Sequence, residues 1–164
     1  MSKTQQNLQE AFAGESQANR KYLAFAKQAE KEGYPQVAKL FRAAAEAETV
    51  HAHAHLRAMD GIGKTAENLK GAISGETFEF KEMYPDMIET AKGEGEKAAE
   101  RSFLYANKVE EIHAGLYQKA FDNIDSTEEF DYYVCPVCGY TCEKEPPEKC
   151  PVCGAPSKAF LKVG

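Results

Sequence analysis

Glu48-Thr-Val-His51-Ala52 and Glu110-Glu-Ile-His113-Ala114 are the two stretches on which the reading of this chain turns. Each lies in a run rich in alanine, glutamate and lysine, where apolar residues recur at spacings of three and four. That period is helical. On a helix, positions i and i+3 share a face about one turn apart. Each stretch can therefore present a carboxylate and an imidazole to one point. Upstream of each lies a further glutamate on a presumed inner face: Glu15, 33 residues before Glu48, and Glu79, 31 before Glu110. A helical hairpin has been used twice.

Working outward, residues 1–123 read as four helices. The first covers about Thr4 to Glu32, closed by Gly33. The second starts at Pro35 and runs to about Asp60, and Gly61 to Gly75, with four glycines, reads as a connection. The third spans about Glu76 to Lys92, with a kink expected at Pro85, and the fourth reaches about Asn123. Four helices of this length predict a bundle. Residues 124–131 form an acidic linker, and residues 132–164 a small separate module that opens on a short strand, Tyr132-Tyr133-Val134. The fold class expected is mainly α: a four-helix bundle followed by a small separate module.

Composition supports that division and excludes several function classes. The chain has 164 residues, 43% of them hydrophobic, and a net charge of −6. The last 34 residues are neutral, with four basic and four acidic side chains, so the negative excess lies in the helical part. An acidic chain with no basic stripe is a poor binder of nucleic acid. No apolar run is long enough to span a membrane, and the N-terminus lacks the apolar core of a secretory signal. A cytoplasmic protein is expected.

One glutamate from each of two helices and Glu-x-x-His from each of the other two is the ligand pattern of a di-metal carboxylate bundle. Glu15, Glu48, His51, Glu79, Glu110 and His113 fill it in chain order. Carboxylates and imidazoles of this kind suit iron or manganese. Glu82 is one carboxylate more than the pattern needs, and a redox-linked exchange of His51 for Glu82 on one metal is expected. Tyr22, two turns from Glu15, either hydrogen-bonds a ligand carboxylate or fills core. His53 and His55 are assigned no role in the site.

All five cysteines lie between Cys135 and Cys153. Cys135-Pro-Val-Cys138-Gly and Cys150-Pro-Val-Cys153-Gly form a C-x2-C-x11-C-x2-C pattern, a strong signal for a four-thiolate metal site. Zinc would make the module structural and iron would make it a one-electron carrier. Cys142 is left over as a bystander thiol.

Together, Gly14-Glu15-Ser16-Gln17-Ala18, Glu48-x-x-His51, Glu79-x-x-Glu82-Met83-Tyr84-Pro85, Glu110-x-x-His113 and the cysteine knuckles resemble the rubrerythrin family over essentially the whole chain. The resemblance implies a ferritin-like di-iron bundle fused to a rubredoxin-type Fe(Cys)4 domain. It implies a peroxidase that reduces hydrogen peroxide to water in oxidative-stress defence. By motif, Glu15, Glu48, Glu79, Glu82, Glu110 and His113 become di-iron ligands, with His51 exchanging against Glu82. Cys135, Cys138, Cys150 and Cys153 hold the single iron. The resemblance also implies a head-to-tail homodimer, with electrons passing from one subunit's rubredoxin iron to the other's di-iron site. The reducing equivalents would come from NAD(P)H through a reductase or a rubredoxin. The alternative is a ferroxidase-type iron-binding or storage protein with structural zinc in the knuckles.

Overall fold

The computed structural model describes residues 1–126 and 128–163; Thr127, within the expected linker, and Gly164, the last residue of the expected module, lie outside them. The chain forms two compact units, Met1–Gly63 and Lys64–Gly164.

The first unit is a helical hairpin, α1 (Lys3–Lys31) and α2 (Pro35–Ala58). Ser2 caps α1: its hydroxyl accepts from the Gln5 N–H and the Gln5 side chain accepts from the Ser2 N–H. Pro35 opens α2, where its missing N–H costs nothing. Ala26, Ala29, Ala38, Ala45 and Ala52 are buried, so small side chains let the two helices approach closely. Buried Asn19 crosses between them, donating to the Ala45 carbonyl at 2.7 Å and to Thr49 Oγ1 at 2.8 Å. The rings of Tyr22, Phe25 and Phe41 pack together nearby, with centroids 5.6–6.4 Å apart.

The second unit begins with α3 (Thr65–Phe78), which passes through a π-helical turn (Glu79–Met83) directly into α4 (Tyr84–Glu94); α5 (Lys97–Asp122) returns antiparallel. The expected connection Gly61–Gly75 is therefore corrected: only its first four residues, 61–64, are outside a helix. The Glu67 carboxylate accepts the Lys64 N–H at the start of α3, and α3 packs along α5. Packing outweighs the roughly 1 kcal/mol that each of Gly71 and Gly75 costs a helix interior. The kink expected at Pro85 takes the form of the π turn. Proline cannot donate to the preceding turn, and the extra residue lets the Tyr84 N–H reach Glu79 O instead.

Beyond α5, β1 (Tyr132–Val134) is the central strand of an antiparallel sheet, with β2 (Thr141–Glu143) on one side and β3 (Leu161–Val163) on the other. The β1 strand falls on the three residues expected. Gly139 and Gly154 follow the second cysteine of each knuckle with φ of +87° and +78°, a backbone region that residues with a Cβ avoid. Within this unit the sheet module touches α5. A side-chain atom of buried Val109 would lie 3.6 Å from a Cβ built on Gly139. Lys119 forms a short ion pair with Glu143.

Candidate metal centres

Among the described residues, three groups of side chains are arranged so that they could hold cations. In the first unit, donor atoms of Glu15, Glu48 and His51 lie within 4.8 Å of one another. The helical spacing of Glu48 and His51 brings Oε2 to 2.9 Å from Nδ1, and α1 supplies Glu15.

In the second unit the corresponding group is Glu76, Glu110 and His113. His113 Nδ1 lies 2.8 Å from Glu110 Oε2 and 3.7 Å from Glu76 Oε2. Burial, the nearby charge of Glu110 and a hydrogen bond from it push the Glu76 carboxyl above its ordinary range, while His113 pulls it down. Glu79 stands just outside the triad. Burial and then the Glu76 charge raise its carboxyl too. Tyr84 borders the same group, its phenol held protonated first by burial and then by Glu110, Glu79 and Glu76. Two half-buried carboxyls and an imidazole this close repel or share protons unless a cation lies among them. The donor set, oxygen with one nitrogen, fits iron or manganese.

The structure thus brings together Glu15, Glu48 and His51, and separately Glu110 and His113. It adds Glu76 and leaves Glu79 beside that cluster. Glu82 is exposed on the π turn and joins neither triad. His53 is exposed and His55 half-buried, and both stand outside the clusters. Tyr22 belongs to the aromatic contact described above. Glu76 is the residue the sequence reading missed. A signal was present: Glu76 precedes Glu110 by 34 residues, nearer than Glu79's 31 to the 33 that separate Glu15 from Glu48.

The third group is Cys135, Cys138, Cys150 and Cys153, whose sulfurs all lie within 4.8 Å of one another. Cys135 Sγ to Cys153 Sγ and Cys138 Sγ to Cys150 Sγ are each 3.5 Å. Four sulfurs about 2.3 Å from a metal form a tetrahedron with edges of about 3.8 Å, so the cage is of the right size. Burial raises the Cys138 thiol well above its ordinary value. Burial acts on Cys150 in the same direction, but backbone N–H groups of Cys153 and Val152, with the Cys138 and Cys153 side chains, hold it down to about 7. Four sulfurs crowded this closely suit a site that binds a metal through all four as thiolates. Cys142 points elsewhere, its Sγ near the carbonyls of Tyr133 and Glu145.

Comparison with known proteins agrees with both parts. A family model described as rubrerythrin matches residues 6–121, and one described as the rubredoxin-like domain of rubrerythrin matches residues 133–161. Rubrerythrin-2 of Clostridium acetobutylicum is 39% identical, the match covering 93% of this chain and 92% of that protein. Nigerythrin of Nitratidesulfovibrio vulgaris is 38% identical over 96% of this chain and 85% of its own. Among solved structures, mixed-valent nigerythrin matches with a TM-score of 0.59 and 35% identity, covering 99% of this chain and 88% of that one.

Proposed function

Because this chain belongs to the rubrerythrin family, we propose that it is a non-haem di-iron peroxidase that reduces hydrogen peroxide to water in oxidative-stress defence. The observation that carries the reading is the presence in one chain of two carboxylate–imidazole triads and a four-thiolate cage. The overall change is H2O2 + 2 H⁺ + 2 e⁻ → 2 H2O, so the protein must supply electrons and protons. The triads would hold iron able to supply the two electrons that O–O cleavage requires, and the four cysteines would hold a one-electron carrier.

The ligands proposed are Glu15, Glu48 and His51 from the first hairpin and Glu76, Glu110 and His113 from the second, with Cys135, Cys138, Cys150 and Cys153 for the single iron. Glu79, its carboxyl raised by burial and by the Glu76 charge beside the second triad, is the carboxyl best placed to give up a proton or to take a coordination position. Tyr84 keeps its proton at Oη because burial, and then the surrounding carboxylates, oppose ionisation. That makes it a proton donor for the departing oxygens. Tyr22 is proposed as a second phenol in that role. The four-thiolate cage leaves its metal no open position, so peroxide is excluded there.

NAD(P)H is proposed as the ultimate reductant, through a rubredoxin or a reductase, and the working form as a head-to-tail homodimer in the cytoplasm. No described helix is long and apolar enough to cross a membrane.

The test is stoichiometric. The iron-loaded, fully reduced protein is mixed anaerobically with hydrogen peroxide, and electrons lost, oxygen evolved and iron bound are counted. Two electrons per peroxide with no oxygen support a peroxidase. Oxygen evolution, or oxygen-driven uptake of many irons per chain with zinc in the knuckles, would replace it with a catalase or a storage protein.

A further inference from the structure

His113 makes one contact that its role in the triad does not require. Its Nε2 lies 3.0 Å from Thr141 Oγ1, on β2 of the cysteine module. The same hydroxyl donates its proton to the Gly139 carbonyl at 3.0 Å. Gly139 follows Cys138 directly, and its own N–H closes the knuckle on the Cys135 carbonyl at 2.9 Å.

A threonine hydroxyl has one proton and two lone pairs. With the proton committed to Gly139, Thr141 can only accept from His113. The imidazole must then carry hydrogen on Nε2. With a cation in the triad, Nδ1, which faces Glu110 and Glu76, gives up any proton it shares with those carboxylates and offers its lone pair. That is the tautomer a cation in the triad needs, since a protonated Nδ1 cannot ligate. The contact is sheltered by Leu69, Leu116, Tyr117, Ala120 and Tyr132, which line a cleft of about 320 Å³ around it.

We propose that Thr141 is a positioning residue, which fixes the tautomer and orientation of His113 and joins the first cysteine knuckle to the Glu76–Glu110–His113 triad of the same chain. The inference rests on the ligand reading above. It adds a connection that the resemblance did not imply: a hydrogen-bonded path within one chain from the first cysteine knuckle, through the Gly139 carbonyl and the Thr141 hydroxyl, to the His113 ring.

The tautomer is read on the wild-type ring. Full-length protein, with zinc in the cysteine cage and in the carboxylate triads, is labelled with ¹⁵N-histidine and recorded near neutral pH. The four histidines are assigned with single His→Gln variants. The expected result is His113 bound to zinc through Nδ1, with its Nε2 proton held in a hydrogen bond and slow to exchange; binding through Nε2, or an Nε2 proton that exchanges freely, overturns the proposal. The hydroxyl is then removed in Thr141→Val and retained in Thr141→Ser. Loss of a partner to a metal-bound histidine typically weakens binding about 10- to 100-fold. Mn²⁺ titration should show that loss for Thr141→Val at the His113 triad only, with near-native affinity for Thr141→Ser. Equal Mn²⁺ affinity in wild type and Thr141→Val, or no rescue by serine, overturns the proposal. Neither readout uses peroxide, so failure of the peroxidase reading and failure of this inference are separately visible.

Discussion

Replacing Glu76 by glutamine removes one of the two carboxylates that face each other across the second triad while leaving the shape of the side chain. The donor atoms lie within 4.8 Å. Two unit charges at that distance repel by about 3.5 kcal/mol at an effective dielectric constant of about 20. The side chains of Glu76 and Glu110 remain 20% and 17% exposed, and His113 offsets part of the repulsion, so about half survives. Metal-free Glu76→Gln should thus be about 1–2 kcal/mol more stable than wild type near neutral pH, a rise in Tm of roughly 3–6 °C. The pH dependence has a definite sign. The Glu76 carboxyl is raised on folding. Its contribution to the metal-free protein is therefore fully present below the ordinary carboxylate range and lost as pH rises through the raised value. Metal-free wild type should gain stability on mild acidification, and the variant should gain less. With Mn²⁺ the order reverses, because the variant has lost a ligand. The assay is thermal unfolding at about pH 5 and pH 7, with and without Mn²⁺. A metal-free variant less stable than wild type, or one stabilised equally by Mn²⁺, would refute the electrostatic account of the triad.

Other substitutions separate ligands from neighbours. Glu82→Gln should change Mn²⁺ affinity less than threefold while Glu76→Gln abolishes tight binding at the second triad; equal losses, read by calorimetric titration, would restore Glu82 to the ligand set. Asn19→Leu removes two buried hydrogen bonds between α1 and α2 and should cost about 2–3 kcal/mol in chemical denaturation, and an unchanged midpoint would show the cross-link to be idle. Cys142→Ser should retain metal in the cysteine cage at native stoichiometry, whereas Cys150→Ser should lose it, as measured by elemental analysis after dialysis against a chelator.

The chemistry-bearing residues were legible where the signal is local. Glu48 with His51, and Glu110 with His113, sit one turn apart on single helices, and helical geometry alone makes each pair meet. The cysteine knuckles are likewise short-range, since each C-x2-C turn shapes itself around its glycine. The start of α3 was obscured because Gly71 and Gly75 mimic a loop, and only packing on α5 keeps that segment helical. Glu76 was missed for a related reason. Glu76-x-x-Glu79 and Glu79-x-x-Glu82 are the same local pattern, and which pair faces α5 depends on register and on a π turn that no spacing rule anticipates. The contact between His113 and Thr141 joins residues 28 apart on different elements and leaves no local trace.

In the proposed function, peroxide chemistry at the carboxylate–imidazole triads is coupled to the thiolate-bound iron. That coupling is tested most directly by reducing the iron-loaded protein without oxygen, adding one equivalent of hydrogen peroxide and following the thiolate-to-iron absorption in time. Rapid return of that colour, much faster than in Glu48→Ala, is the predicted result. Iron that is present in the knuckles and stays reduced, or that recolours equally fast in Glu48→Ala, would contradict the claim.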